Sequence, residues 1–263
     1  MESSFCDITT YAWLDHESVG LLATSHIQSL TLFRDNVVRP SLRALDHELV
    51  RLRNSDDPTS VFMEDDFAEL FQKTVEGCLI ATQSMWERGL RQLLINRDAK
   101  LNHGMNANTL QKATWSERSP GIQSYFEALL GVPLQAFDSY ADLDLLQSLG
   151  NAIRHGNGAS AQRVYTICPA LWHSRLPPGI VISGPFSIQV PLDAPDTPSF
   201  DSITLPQPLL EQMLQSVVWF WNDIEHMRCN SFQRKHETVV RKIDDWRSER
   251  LQRTIQRYWN PSQ

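Results

Sequence analysis

The residues most suited to chemistry lie on one predicted helix, in the sequence DLDLLQSLGNAIRHG that begins at Asp142. At about 3.6 residues per turn, its leucines share the face that must meet the core, and the opposite face is polar. That polar stripe consists of Asp144, Ser148, Asn151 and His155. A histidine there can transfer protons near neutral pH, and the C-terminus of a helix favours its protonated form. The stripe therefore predicts an acid–base site, although an inactive, solvated helix face would show the same pattern.

A nearby cation would be needed if this histidine acts on a phosphate. Arg154 directly precedes His155, and the fixed donors of a guanidinium suit an anion. Arg88 and Arg91 lie on the polar side of an earlier predicted helix and are weaker candidates for the same task. Asp144 is about three helical turns from His155, so these two side chains are not expected to touch directly.

Two stretches of the sequence resemble the HEPN superfamily of helical domains, particularly those of bacterial toxin and phage-defence proteins. The first is SMWERGLRQLL, in which Trp86 and Glu87 match a Trp-Glu pair that the family often carries on an early helix. The second is LLQSLGNAIRHGNG, where the family motif is an Arg, a polar residue, three further residues and a His. Asn151 matches the polar residue and His155 the histidine, whereas Gly150 stands in place of the motif Arg.

The resemblance implies a metal-independent endoribonuclease that acts on RNA as a homodimer. In such an enzyme His155 would be the acid or base, Asn151 would orient the phosphate or the ring, and Arg154 would stabilise the anion. The substrate would also contact a second set of side chains: Arg88, Arg91 and Ser148. Because such proteins serve in toxin–antitoxin and anti-phage defence systems, an antitoxin or another defence protein is a further expected partner.

Gly150 leaves a second interpretation open. A glycine cannot supply the positive charge that the motif Arg provides. The chain could therefore be a catalytically inactive HEPN-like module for dimerisation, sensing or adaptor contacts. The sequence does not decide between the enzyme and the inactive module.

The elements that position the stripe are predicted from the helical spacing of apolar residues. The predicted helices cover 16–54, 65–96, about 110–115, 119–131 and 142–158, and helix returns from 208 onward. The proline-rich segment 160–205 contains the β-like pieces VYTIC, IVIS and FSIQV, which predict a small β-hairpin insert. The predicted fold class is mainly all-α: a single domain over 1–263, a helical bundle of HEPN type, with a basic C-terminal helix at 228–263.

Four residues predict local features of these helices. Pro40 should kink or divide the first helix, because proline lacks a backbone donor and clashes with the preceding turn. Asp142 is placed to cap the N-terminus of its helix. Gly77 and Gly89 are costly inside a long helix, so they predict close contact with other helices at those points.

Composition excludes several classes of protein. A chain of 263 residues with 41% hydrophobic residues is typical of a folded domain. The four cysteines are far apart in the sequence, so neither a disulfide scaffold nor a zinc finger is predicted. The usual metal-binding and cofactor-binding motifs are absent, so no metal or cofactor is expected. The absence of a signal sequence and of an apolar run of about 18 residues predicts a cytoplasmic protein without membrane contact.

The charge is unevenly distributed along the chain. The formal net charge is −7, yet from Arg228 to the end nine Lys and Arg residues stand against four Asp and Glu residues. Together with Trp246, Tyr258 and Trp259, this composition is typical of a surface that contacts RNA. Its alternating charges are equally typical of a solvated helix.

Overall fold

The computed structural model describes residues 7–13, 19–20, 22–105, 107–173, 179–182, 188–189, 191–192 and 197–261 of the chain. The described residues are mainly helical, which confirms the all-α class. Their helices are α1 (Leu22–Phe33), α2 (Arg39–Arg53), α3 (Ser60–Leu101), α4 (Ala107–Lys112), α5 (Ile122–Leu130), α6 (Tyr140–His155), α7 (Ala159–Ile167), α8 (Gln207–Asn230) and α9 (Glu237–Gln252). Two short antiparallel strands, β1 (Val181–Ile182) and β2 (Ile188–Gln189), complete the elements used below.

The first helical segment is divided immediately before Pro40, as the sequence predicts. Residues Arg34–Val38 form a π-helical turn between α1 and α2, and the N–H of Arg39 bonds the carbonyl of Arg34. Pro40 lies in the first turn of α2, where a missing backbone donor is harmless. The predicted start of this segment at 16–18 lies outside the described residues.

The central helix α3 packs against α1, α2, α5, α6 and α8. It extends five residues beyond its predicted limits at each end. Trp86 is fully buried on it and meets Phe220 of α8 edge-on, with ring centroids 6.1 Å apart. Gly89 confirms the predicted close contact, because a Cβ there would lie 2.7 Å from the rings of His26 and Trp221. The same prediction is wrong for Gly77, which has no atom within 4 Å of that position among the described residues.

The segment 160–205 is more helical than predicted. The piece VYTIC, predicted as a strand, instead ends helix α7. Ala161, Val164 and Cys168 are all buried, and their spacing of three and four residues is helical rather than alternating. Strands β1 and β2 pair antiparallel, but the chain between them, 183–187, lies outside the described residues, so the β-hairpin insert stays a prediction.

The basic C-terminal segment contains one helix in its described part, α9, which is shorter than the predicted 228–263. Arg228 belongs to the last turn of α8. Helix α9 packs along α8 through a small cluster formed by Cys229, Ile243 and Trp246. The segment is therefore joined to the bundle rather than extended from it.

Candidate functional site

Helix α6, which carries the polar stripe, has a local stop signal at its C-terminal end. It begins at Tyr140 and ends at His155, where Gly156 adopts a left-handed φ of 69°. The prediction that Asp142 caps this helix is wrong. Asp142 lies inside the first turn, is 2% exposed, and accepts hydrogen bonds from Gln212 Nε2 at 2.8 Å and Arg257 at 2.6 Å. Its carboxylate ties α6 to α8 and to the C-terminal segment.

The polar stripe of α6 lines a cleft of about 440 Å³ between α6, α7 and the loop that follows α4. Asp144 and Ser148 are buried at 9% and 6% exposure, and Asn151 is half-buried. Ser148 Oγ donates to the carbonyl of Asp144 at 3.1 Å. Most of the stripe therefore lines a concave surface.

Asp144 lies at the centre of this cleft. Its Oδ1 accepts a hydrogen bond from Trp115 Nε1 at 2.9 Å, and its Oδ2 pairs with the guanidinium of Arg163 at 2.5 Å. Hydrogen bonding to Asp144 raises the pKa of Arg163 further above its usual value. The carboxylate is therefore held by Trp115 and Arg163, as expected for a residue too far along the helix to contact His155.

His155 lies at the exposed end of the stripe. Its ring makes no hydrogen bond or ion pair with the part of the chain that the structure describes, and it does not line the cleft. The preceding Arg154 turns toward the body of the protein, where it donates to Asn151 Oδ1 at 3.2 Å and to Gln83 Oε1. Neither residue lines the cleft, although Arg154 contacts Asn151, which does.

Gly150 is required by the packing of α6 on α3. A Cβ at this position would lie 2.0 Å from Oε1 of Gln83, a fully buried side chain on α3. Any larger residue, the motif Arg included, would have to displace that amide. Gln83 Oε1 also accepts a hydrogen bond from Arg154. The guanidinium of Arg154 therefore lies close to Gly150.

Gln147 connects this contact to the cleft. Its Oε1 accepts from Gln83 Nε2 at 2.7 Å, and its side chain is 4% exposed. Gln147 lines the cleft, yet its buried Nε2 has no hydrogen-bond partner among the described residues. A buried donor without a partner is costly, and such a group is expected where a ligand or water completes the bond.

Arg88 and Arg91, the other predicted substrate contacts, lie outside the cleft lining. Arg91 bonds the carboxylate of Glu87 and donates to the carbonyls of Leu110 at 2.6 Å and Ala113 at 2.9 Å. It thereby holds the segment around α4 against α3. Arg88 is exposed and donates to the carbonyl of Ser84 at 3.1 Å. The substrate-binding role of both arginines stays a prediction.

The cleft contains residues that the sequence did not single out: Trp115, Gln147, Arg163 and Tyr140. Burial, and to a lesser degree the charge of Asp144, raises the pKa of the Tyr140 phenol, which donates to Gln123 at 3.1 Å. Gln147 could have been noticed, since it is three residues from Asp144 on the same helix. Trp115 and Arg163 come from other elements, so no local pattern indicates them.

Two of the three aromatic side chains predicted to contact RNA from the basic tail are buried, whereas Tyr258 is 47% exposed. Trp246 and Trp259 are each 7% exposed, so their rings are not available for base stacking. Arg253 forms hydrogen bonds to both oxygens of Asp223, at 2.8 and 2.9 Å, and Arg250 pairs with the same carboxylate. The segment therefore contributes ion pairs to the bundle.

Comparisons with known proteins give no family for this chain. No family model matches it, and neither a curated protein nor a solved structure is significantly similar. Among the described residues, no three His, Cys, Asp or Glu side chains are grouped so that they could hold a metal ion. None of the described helices has the length and apolar character needed to span a bilayer.

Proposed function

We propose that this chain is a HEPN-like endoribonuclease that cleaves RNA without a metal ion, acting as a homodimer through the exposed end of α6. His155 transfers the proton, Asn151 orients the phosphate, and Arg154 stabilises the developing negative charge. In the same proposal the protein acts in the bacterial cytoplasm as part of a toxin–antitoxin or anti-phage defence system, with an antitoxin or defence protein as its partner.

The observation that carries the proposal is the position of Arg154. Gln83 holds its guanidinium beside Gly150, the place where the motif Arg is missing, and Asn151 binds it from the same helix. This position supports the proposal because Arg154, four residues further along the helix, can supply the cation that Gly150 lacks. Its planar donors suit two oxygens of a phosphate.

The reaction needs three contributions at one phosphodiester. First, a base takes the proton from the 2′-hydroxyl, whose oxygen attacks phosphorus. Second, an acid protonates the departing 5′-oxygen. Third, a cation offsets the negative charge on the phosphoryl oxygens. One imidazole can serve as the base or the acid in a given turnover. The second proton-transfer group would be the same ring of a second copy, which is why the proposal includes a homodimer.

The alternative is a catalytically inactive HEPN-like module that dimerises or senses a ligand. The observation that favours it is the exposed ring of His155, which has no partner within the described residues, while the guanidinium of Arg154 is already bound by two amides. In that case the cleft, rather than His155, would be the functional surface.

RNA cleavage in the presence of EDTA separates the two functions. The wild type should cut a single-stranded RNA, His155→Ala should lower the rate at least a hundredfold by removing proton transfer, and Arg154→Lys should lower it about tenfold. His103→Ala is the matched control, because His103 is also exposed but lies after α3. Circular dichroism should show the same helical content in every variant.

Sedimentation of the same samples completes the test. A dimer that leaves RNA intact would refute cleavage and support the inactive module. Growth arrest on expression of the wild type but not of His155→Ala would support a toxin role, and equal growth of both strains would contradict it.

A further inference from the structure

We propose that the cleft on α6 binds a keto nucleobase, guanine or uracil, with Gln147 and Asp144 as the residues that read its edge. The choice of a nucleobase rests on the proposed function, but binding can be measured without cleavage. A keto base is defined here by a carbonyl oxygen next to a ring N–H, whereas adenine and cytosine carry an amino group next to an unprotonated ring nitrogen.

The first step is the orientation of the two buried amides. Arg154 has only donors, so the atom of Gln83 that faces it must be the oxygen. Gln83 then presents its Nε2 to Gln147, which must answer with Oε1. The chain of bonds leaves Gln147 Nε2 as a buried donor without a partner among the described residues. Reversing Gln83 would turn its NH2 toward the Arg154 donors, and reversing Gln147 would turn its NH2 toward that of Gln83.

The second step is the acceptor that stands beside this donor. Asp144 is three residues before Gln147 on α6, so the two side chains are neighbours on one face of the helix. Each oxygen of Asp144 accepts one bond, from Trp115 or from Arg163, and a carboxylate oxygen has room for another. A donor from Gln147 and an acceptor from Asp144 together complement a carbonyl with an adjacent N–H.

The third step is a surface on which a ring can stack. Trp115 is half-buried and lines the cleft. Its orientation is fixed by the bond to Asp144 and by edge-on contact with Trp86 at 5.2 Å between ring centroids. Stacking on an aromatic side chain is a common way to hold an unpaired base.

Size and charge agree with a base as the occupant. The volume of about 440 Å³ lies within the roughly 300–1,000 Å³ of small-molecule sites. The pairing of Asp144 with Arg163 leaves the centre of the cleft close to neutral, which suits an uncharged ring better than a free anion. Asn151 lines the cleft and contacts Arg154, so the cleft lies next to the proposed cleavage site, toward which a bound nucleotide can direct its phosphate.

Isothermal titration with the four mononucleotides tests this inference directly. GMP and UMP should bind the full chain at least tenfold more tightly than AMP and CMP, since one matched pair of hydrogen bonds gives discrimination of that order. Gln147→Glu keeps the acceptor for Gln83 but replaces the free donor by an acceptor, so it should weaken GMP and UMP binding about tenfold. Gln92→Glu, an equal change of charge at an exposed position of α3, should leave binding within twofold of wild type.

A second variant covers the case in which a glutamate at position 147 prevents folding. Asp144→Asn keeps the size and an acceptor for Trp115 but replaces the oxygen facing Arg163 by an amide donor, so it should weaken the preference for GMP and UMP while the thermal melt stays cooperative. Equal binding of keto and amino nucleotides, no binding of any of them at millimolar concentration, or wild-type binding by a folded Gln147→Glu would each overturn the inference.

Cleavage assays separate this inference from the proposed function. Selective binding of GMP and UMP that persists in His155→Ala, together with intact RNA, would refute the nuclease and support the base site. Metal-independent cleavage without preference for a base, and without selective nucleotide binding, would support the nuclease and refute the base site.

Discussion

Replacing Gly150 by alanine tests whether the packing of α6 on α3 excludes any larger side chain at this position. The added methyl group would lie 2.0 Å from Gln83 Oε1 and 2.6 Å from Gln83 Cδ, both far inside contact distance. Because Gln83 is fully buried, its amide can move only by giving up its hydrogen bonds. We therefore expect Gly150→Ala to destabilise the protein, although alanine is the better helix former.

The magnitude follows from the bonds that Gln83 makes. It would lose the bonds to Gln147 and to Arg154, each with a net value of about 1 kcal/mol. The change from glycine to alanine returns about 1 kcal/mol of helix preference. The free energy of unfolding should therefore fall by about 1 kcal/mol, or the melting temperature by about 2–4 °C.

Gly77→Ala is the matched control for this measurement. Gly77 also lies inside a long helix, but nothing among the described residues comes within 4 Å of the position of its Cβ. Alanine there should raise the free energy of unfolding by up to about 1 kcal/mol. Chemical denaturation of both variants, followed by circular dichroism at 222 nm, gives the two values under the same conditions.

A double variant shows whether Gln83 causes the loss. In a Gln83→Ala background the methyl group of Gly150→Ala would enter free space, so the second substitution should become neutral or stabilising. The two changes should then deviate from additivity by about 2 kcal/mol. Equal stabilisation by Gly150→Ala and Gly77→Ala, or additivity in the double variant, would refute the packing argument and leave the glycine at position 150 without a structural cause.

Three further predictions concern buried or clamped groups. Burial, aided by three arginines, lowers the pKa of His226 from 6.5 to about 4. Between these two pH values the unfolded chain binds a proton that the folded chain does not. The free energy of unfolding should therefore fall by up to about 3 kcal/mol as the pH drops from 6.5 to about 4. Denaturation at pH 7 and 5 should show the effect reduced in His226→Gln but not in His103→Gln, and an unchanged dependence in His226→Gln would contradict it. Burial raises the thiol pKa of Cys168 to about 12 and that of Cys229 to about 11. Neither thiol should therefore react with a thiol reagent at pH 8 before the protein unfolds. Labelling of either cysteine within minutes in the folded state would contradict this prediction. Arg91→Met removes the donors that hold the carbonyls near α4, so hydrogen exchange in residues 107–113 should accelerate at least tenfold, and unchanged exchange would show that the clamp is dispensable.

The helices could be predicted from the sequence because their apolar periodicity is long. Helix α3 was identified over most of its length, and the division before Pro40 followed from the chemistry of proline. Helix α7 was missed because nine residues give about two and a half turns, too few to distinguish a helical period from the β-branched composition of VYTIC. Its helical form depends on Ala161 and Val164 packing into the core with α6, which is tertiary information.

The candidate site was predictable only where one helix supplies it. Ser148 and Asn151 line the cleft together because their spacing on α6 brings them to one face. Asp142 and Asp144 show the limit of such reasoning. They are two residues apart on the same helix, yet Asp142 is bonded by Arg257 from the C-terminal segment and Asp144 by Trp115 from the loop after α4.

Gln83 connects three residues of the candidate site: Gly150, Arg154 and Gln147. Its oxygen occupies the space beside Gly150 and accepts from Arg154, and its nitrogen donates to Gln147, whose own buried Nε2 has no partner among the described residues. A larger residue at position 150 would therefore disturb the guanidinium and the donor together. This coupling implies that restoring an Arg at Gly150 requires a smaller residue at Gln83, and that such a double change would gain a cation while losing the fixed orientation of Gln147.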